Sequence, residues 1–290
     1  MINILDSLKV TVIAEDSVQY ESPFWGQHGI SFLLEAEYGN RTNKVMIDVG
    51  QNYEALEHNM EILKIDPSSI DALVLTHCHY DHTRGIHSLL HARKGKELPV
   101  IAHPDIFRLH FIADPFLRHV GISAEDSRQK LESAGARLFL ASDPLEIMPG
   151  LWTTGEIPRK TDFEDAGIAL KTIHNGRIQE DQVMDDISVA AVVKDRGLAI
   201  ITGCSHAGIV NICLHALELF PGLPIETIIG GLHLVEAEQE KIDLTVKALE
   251  DMNPAWIASG HCTGFRAQFG LFQTFGERFE PLASGKIFRI

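Results

Sequence analysis

Apolar and polar positions along this chain switch between a two-residue and a helical period, and each switch marks an element. Val10 to Ala14, Ser31 to Ala36 and Val45 to Val49 are short apolar runs that predict strands. Tyr53 to Leu63 carries Leu56, Met60 and Leu63 at helical spacing and predicts a helix, which Asp66-Pro67-Ser68 terminates. Ala72 to Leu75 and Leu98 to Ala102 predict two further strands, and Glu125 to Ala134 a helix. The second half repeats the scheme. Ser188 to Val193 and Leu198 to Ile201 form a predicted hairpin turned at Asp195-Arg196-Gly197, followed by a helix from Ile209 to Leu219. A strand from Glu226 to Ile229, a helix from Glu236 to Met252 with Ile242, Val246 and Leu249 facing inward, and a strand from Ala255 to Ser259 complete it. Two sheets with helices outside both would bury all these faces, giving an α/β sandwich.

Composition changes this picture in three respects. No linker, repeat or low-complexity stretch divides the 290 residues, and the candidate chemistry spans both halves, so one domain over residues 1–290 is expected. The net charge of −15, with only a short basic loop patch at Arg93, Lys94 and Lys96, argues against nucleic acid as a partner. The uncharged stretch from Gly197 to Leu217 is long enough for a membrane span, yet Ser205, His206, Asn211 and His215 fit a strand, turn and helix better. With no basic-then-apolar leader and four cysteines, too few for a disulfide framework, a cytoplasmic location and no membrane partner are expected. No feature bears on oligomeric state.

Directly after the Ala72 to Leu75 strand comes Thr76-His77-Cys78-His79-Tyr80-Asp81-His82. A loop leaving a strand end can turn several side chains toward one point, so His77 and His79 would bind one ion and Asp81 and His82 a second. His206 and His261 each follow a predicted strand in the same way and are further candidate ligands. These donors suit two divalent transition-metal ions, zinc first, with iron or manganese also accommodated. His233, at the end of another strand, would face the same edge and protonate a leaving group. Asp48 is expected to bond a ligand imidazole or the metal-loop backbone, and His103 to be structural.

In these motifs the chain resembles the metallo-β-lactamase superfamily of metal-dependent hydrolases. Val45 to Gly50 matches the strand and Asp-x-Gly turn before the metal loop, while Gly203 to His206 and Gly260 to Gly264 occupy the places of later metal-binding segments. Gly155 to Arg159, Gly203 to Gly208, Gly230 to Leu234 and His261 to Gly264 are similar to the branch related to dihydropterin–ribofuranosylaminobenzene-5'-phosphate synthase. The resemblance implies a four-layer αββα sandwich with the metals at the sheet edge between the halves. It also implies that Asp81 orients or deprotonates the nucleophile. The chain departs from the common pattern at two ligand positions: Asp185 and Asp186 precede the hairpin where a histidine is usual, and Gly203-Cys204 replaces Gly-Asp after it. Asp186, Cys204 and His206 therefore compete to complete the first metal site. Arg159 and Lys160, in a loop where the family covers its substrate, and Arg84 and Arg266 beside ligand segments are candidate anion binders. The expected activity is hydrolysis of a small anionic phosphate ester, phosphodiester or lactone by a metal-activated water. The alternatives are synthase-type transfer and metal-dependent binding or sensing without turnover.

Overall fold

Alternation along each strand decides which side chains meet across the interior. In the computed structural model, which describes residues 2–166 and 169–290, Val10, Val12, Phe32, Leu34, Val45 and Ile47 point to one face of a sheet. There they pack against Val189, Ala191, Val193, Ala199, Ile201 and Ile229 of a second sheet. The residues between them, Leu33, Met46, Leu73 and Val100, point outward onto Leu56 and Met60 of helix Tyr53–Ile62 and Leu89 and Leu90 of helix Ile86–Ala92. The second sheet does the same on its far side. Ala190, Val192, Ile200 and Ile228 bury Ile212 and Ala216 of helix Ile209–Leu219, Ile242 and Leu249 of helix Gln239–Met252, and Leu271 of helix Phe265–Phe275. The layers are helix, sheet, sheet, helix, the αββα sandwich expected from the sequence.

The first sheet runs, in spatial order, Ile287–Arg289, Ser7–Ala14, Ser31–Tyr38, Arg41–Ile47, Ala72–Val74, Leu98–Ala102 and Ala136–Leu140. The second runs Phe279–Pro281, Trp256–Gly260, Ile225–Gly231, Gly197–Ile201, Val189–Val193, Leu151–Thr153 and Leu145–Met148. Ala72–Val74 is parallel to both its neighbours, and Gly197–Ile201, Ile225–Gly231 and Trp256–Gly260 are mutually parallel in sequence. Parallel strands end on one edge, so the segments that follow them are delivered to a common place.

A third, four-stranded sheet was not expected. It is built from Arg177–Glu180, Lys171–His174, His110–Ile112 and Arg118–His119. It is tied to the metal loop, because Tyr80 N donates to Val120 O at 3.0 Å while Val120 N donates to His110 O at 3.0 Å. Two helices also differ from expectation. Ser123 caps a short turn at Ala124–Asp126, and Ser127, extended at ψ 151°, interrupts the run before helix Arg128–Ser133. The Glu236 helix begins later, at Gln239. All four cysteines are buried and free, and no helix among the described residues is long and apolar enough to cross a membrane.

Candidate metal centre

The carboxyl ends of the parallel strands bring together side chains from both sheets. His77, His79, Asp81 and His82 leave the first sheet; Cys204 and His206, His233, and His261 leave three adjacent strands of the second. The backbone there is forced into the left-handed region at several non-glycine residues: Asp48 (φ 52°), Ser205 (φ 64°), His233 (φ 45°) and His261 (φ 49°). Such strain persists only where surrounding contacts hold it. Two of those contacts come from buried Glu15, which accepts the His261 N–H, and Gly231 O, which accepts the Ser205 hydroxyl at 2.7 Å. Gly203 lets the two halves approach, since a Cβ there would lie 2.1 Å from Thr76 Oγ1 and 3.0 Å from Asp48 Oδ2.

Outer partners fix which ring nitrogen of each histidine faces inward. The Thr76 hydroxyl donates its one proton to Asp48 Oδ2 at 2.7 Å, so at 3.1 Å it accepts from His77 Nδ1 and leaves His77 Nε2 bare. His82 Nδ1 donates to the same Asp48 oxygen at 2.7 Å, His206 Nδ1 to Ala166 O at 3.1 Å, and His261 Nδ1 to Asp16 at 3.3 Å. Asp48 therefore sits behind the candidate ligands, bonding His82 directly and His77 through Thr76.

The inward nitrogens collect in two groups. His79 Nδ1 lies 3.0 Å from His77 Nε2 and 3.1 Å from His206 Nε2. With Nε2 bare on both neighbours, at most one proton is available to three facing nitrogens. Burial, reinforced by the neighbouring imidazoles, pushes His77 and His206 well below the ordinary histidine range, so both rings are neutral and in the ligand form. These three nitrogens could hold a cation between them. In the second group, Asp81 Oδ2 lies 3.5 Å from His82 Nε2 and 3.3 Å from His261 Nε2. Although burial opposes it, His82 and His261 hold the Asp81 carboxyl well below its usual range.

Cys204 joins the groups. Its sulfur is 3.1 Å from His82 Nε2 and 3.4 Å from His261 Nε2, and it falls within 4.8 Å of the facing atoms in two sets, Asp81-His82-Cys204-His261 and His77-Cys204-His206. Asp186 joins neither group: its Oδ2 accepts the Ala207 N–H at 2.6 Å, its buried Oδ1 has no hydrogen-bond partner among the described residues, and burial pushes its carboxyl up to about 7. His233 lies against His206 with ring centroids 4.0 Å apart and planes tilted by 46°, and its nitrogens, near the sulfurs of Cys204 and Cys262, lack a hydrogen-bond partner among the described residues.

A cavity of about 230 Å³ opens onto these side chains, walled by Asp16, His28, Tyr80, Arg118, Val120 and Val235 among others. Among the described residues Arg118 is the one Lys or Arg in that wall. The arginines singled out by sequence sit elsewhere. Arg159 donates to the carbonyls of Ile157, Gln182 and Val183, Arg266 to Ala237 O, and exposed Arg84 lies over the Tyr80 ring at 5.0 Å. Lys160 pairs with Glu218, and His103 bonds Glu156 at 2.9 Å, a structural contact. Arg118, His28 and His110 carry no motif and follow no predicted strand, so the sequence gives no signal for them, whereas Asp16 stands just after the Val10 to Ala14 run and the strand-then-ligand rule could have found it.

A model described as "Beta-lactamase superfamily domain" matches residues 44–129. The chain is 38% identical over 288 residues to the 7,8-dihydropterin-6-methyl-4-(beta-D-ribofuranosyl)-aminobenzene-5'-phosphate synthase of Methanocaldococcus jannaschii, covering 98% of this chain and 97% of that protein. It is 31% identical to an uncharacterized protein of the same organism, covering 90% and 93%. Among solved structures, a metal-dependent hydrolase of the β-lactamase superfamily superposes with a TM-score of 0.82 at 22% identity, covering 98% of this chain and 99% of that one. A metallo-β-lactamase fold protein of Bacillus subtilis superposes at 0.58 with 14% identity, covering 98% and 100%. The strand-end histidine loop, the αββα layers and the full-length relative agree: this chain is an enzyme of the metallo-β-lactamase superfamily, in the branch related to the dihydropterin–ribofuranosylaminobenzene-5'-phosphate synthase.

Proposed function

We propose that the chain is a binuclear metal-dependent hydrolase of a small anionic substrate. His77, His79 and His206 would hold one ion, Asp81, His82 and His261 the other, with the Cys204 sulfur shared. The observation that carries this reading is the pair of converging ligand groups joined at Cys204. Zinc suits the imidazole and thiolate donors best, with iron next. When bound, two such ions supply Lewis acidity to a substrate oxygen and acidify a water for attack.

The chain's own residues supply the rest. Asp81, held as a carboxylate, orients the nucleophile by accepting a hydrogen bond; its depressed pKa suits orientation better than proton uptake. His233, half-buried at the cavity wall with unpartnered nitrogens, is placed to donate a proton to the leaving group. Arg118 pairs with the substrate's anionic group. Ile112, Val120 and Val235 exclude bulk water around it.

A second reading, transfer to an aminobenzene acceptor in place of water, is favoured by the 38% identity to the synthase. The cavity's single phenol ring, Tyr80, with no facing aromatic wall among its lining residues, favours hydrolysis. Elemental analysis of the purified protein, coupled to turnover of phosphodiester, phosphomonoester and lactone probes, tests the proposal. Two ions per chain and hydrolysis abolished by Asp81→Ala are expected. Two ions without hydrolysis, but with diphosphate release from a pterin donor and an aminobenzene acceptor, would transfer the assignment to the synthase reading; a chain that takes up no ion overturns both.

A further inference from the structure

Four of the five inward-facing imidazoles are oriented by a hydroxyl, carbonyl or carboxylate. His79 is not. Its Nε2 faces another imidazole, His110 Nε2, at 2.7 Å. Two ring nitrogens at that separation share one proton, and which ring owns it decides whether His79 Nδ1 is a bare ligand atom or an N–H.

The far side of His110 answers the question. His110 Nδ1 lies 2.6 Å from Asp181 Oδ2, and Arg108 binds both oxygens of the same carboxylate at 2.6 and 3.1 Å. A carboxylate so paired accepts, so His110 carries its proton on Nδ1 and presents a bare Nε2 to His79. The competing donor to His110 Nδ1, Arg108 Nη2, is at 3.4 Å and is already committed to Asp181. His79 must then donate from Nε2, which strips Nδ1 and turns its lone pair toward His77 and His206.

We propose that His110 is a positioning residue for the metal centre, the middle of an Asp181–His110–His79 relay that fixes the His79 tautomer from the small sheet. The inference rests on the two-ion reading above. His110 begins the strand His110–Ile112 and Asp181 follows the strand Arg177–Glu180, so the four-stranded sheet exists in part to hold this pair. Arg108 extends the network by an ion pair at 2.6 Å to Asp185, whose Oδ2 accepts the Cys78 N–H at 2.8 Å. The metal loop is thus held through a side chain and through its backbone by one buried cluster.

The test is a cobalt(II) titration of chelator-stripped wild type, His110→Phe, His110→Gln and Asp181→Asn, read by absorption and checked by elemental analysis. His110→Phe, which removes the acceptor but keeps a ring, should weaken one of the two ions by about 10- to 100-fold, the usual effect of losing an outer partner, and spare the other. His110→Gln retains an acceptor oxygen and should recover most of that loss; Asp181→Asn should weaken the same ion. If wild type binds two ions and His110→Phe binds both with unchanged affinity, or if Gln loses as much as Phe, the relay is wrong while the two-ion reading stands. A wild type that binds none sinks both. Should the Phe variant show no cooperative melt, Asp181→Asn decides: loss of one ion supports the relay, and wild-type binding of both overturns it.

Discussion

The Cys204 sulfur stands where the superfamily's common pattern places a carboxylate, and the exchange changes what the site can hold. Burial pushes the Cys204 thiol up, so only a nearby cation would convert it to thiolate. A soft thiolate selects zinc, cobalt or iron over manganese, whereas a carboxylate has the opposite bias. Cys204→Ser, nearly isosteric but without a thiolate, should lower the ion content by about one per chain and abolish the sulfur-to-cobalt absorption band of the cobalt form. Cys204→Asp should keep two ions and move the preference toward manganese in a competition assay read by elemental analysis. An unchanged cobalt spectrum in the Ser variant would remove the sulfur from the site. Sequence alone left Asp186, Cys204 and His206 as rivals, because the choice depends on which side chain a left-handed Ser205 turns inward. The geometry groups Cys204 and His206 with His77 and leaves Asp186 outside that group, one oxygen on the Ala207 amide and the other buried without a partner among the described residues.

Elements place those residues, and some elements are secured by chain far away in sequence. Helix Ile209–Leu219 has no cap of its own, since Gly208 precedes it at φ 91°. Its first free N–H groups, on Val210 and Asn211, are instead accepted by the two oxygens of Glu164, each at 2.9 Å. Burial raises the Glu164 carboxyl above its ordinary 4.5, against these hydrogen bonds. A carboxyl raised in the folded state takes up a proton on folding, so its contribution to stability falls as pH rises above 4.5 and levels off beyond the folded value. Glu164→Gln, which keeps one acceptor and loses the titration, should cost about 1 kcal/mol at acid pH. Thermal melts taken upward from pH 4.5 should show that gap narrowing, and a widening gap would mean the helix end favours the anion more than burial disfavours it. Gly203→Ala acts on the junction between sheets: a Cβ 2.1 Å from Thr76 Oγ1 must displace the Thr76–Asp48 pair. It should cost about 1–3 kcal/mol by denaturant unfolding and lower ion content as well. What sequence revealed of the elements follows the same physics. The strands beneath the metal loops are apolar on both faces and were legible, whereas the small sheet was not. Arg177–Glu180 is exposed throughout and only Thr172 of Lys171–His174 is buried, leaving no apolar period to betray them, and with them went His110 and Asp181.

For the whole molecule, the consequence of this arrangement is that the ligands belong to two separate sheets. His77, His79, Asp81 and His82 ride on the first, Cys204, His206 and His261 on the second, and ions held between them would clamp the sandwich at one edge. A ligand that binds only the folded state adds about 2.7 kcal/mol per site at a hundredfold excess over Kd, hence about 5 kcal/mol for two independent ions. The apolar clusters on either side of each sheet contribute about 2 kcal/mol for every large side chain fully buried, and Phe32, Leu33, Leu34, Met46 and Ile47 are only the beginning of that set. Chain entropy cancels most of that gross gain and leaves a net of about 5–15 kcal/mol for a domain, so removing the ions should lower the melting temperature by a large, measurable step. For a chain of this size, about 5 kcal/mol corresponds to a drop on the order of 10 °C. Calorimetry before and after treatment with a chelator, and again after zinc is restored, measures it directly. If the ions merely order their own loops, the melting temperature will hold while amide exchange quickens in residues 76–83 and 203–208 alone. If they join the sheets, exchange will also quicken along Gly197–Ile201 and Ala72–Val74, strands whose side chains meet across the interior.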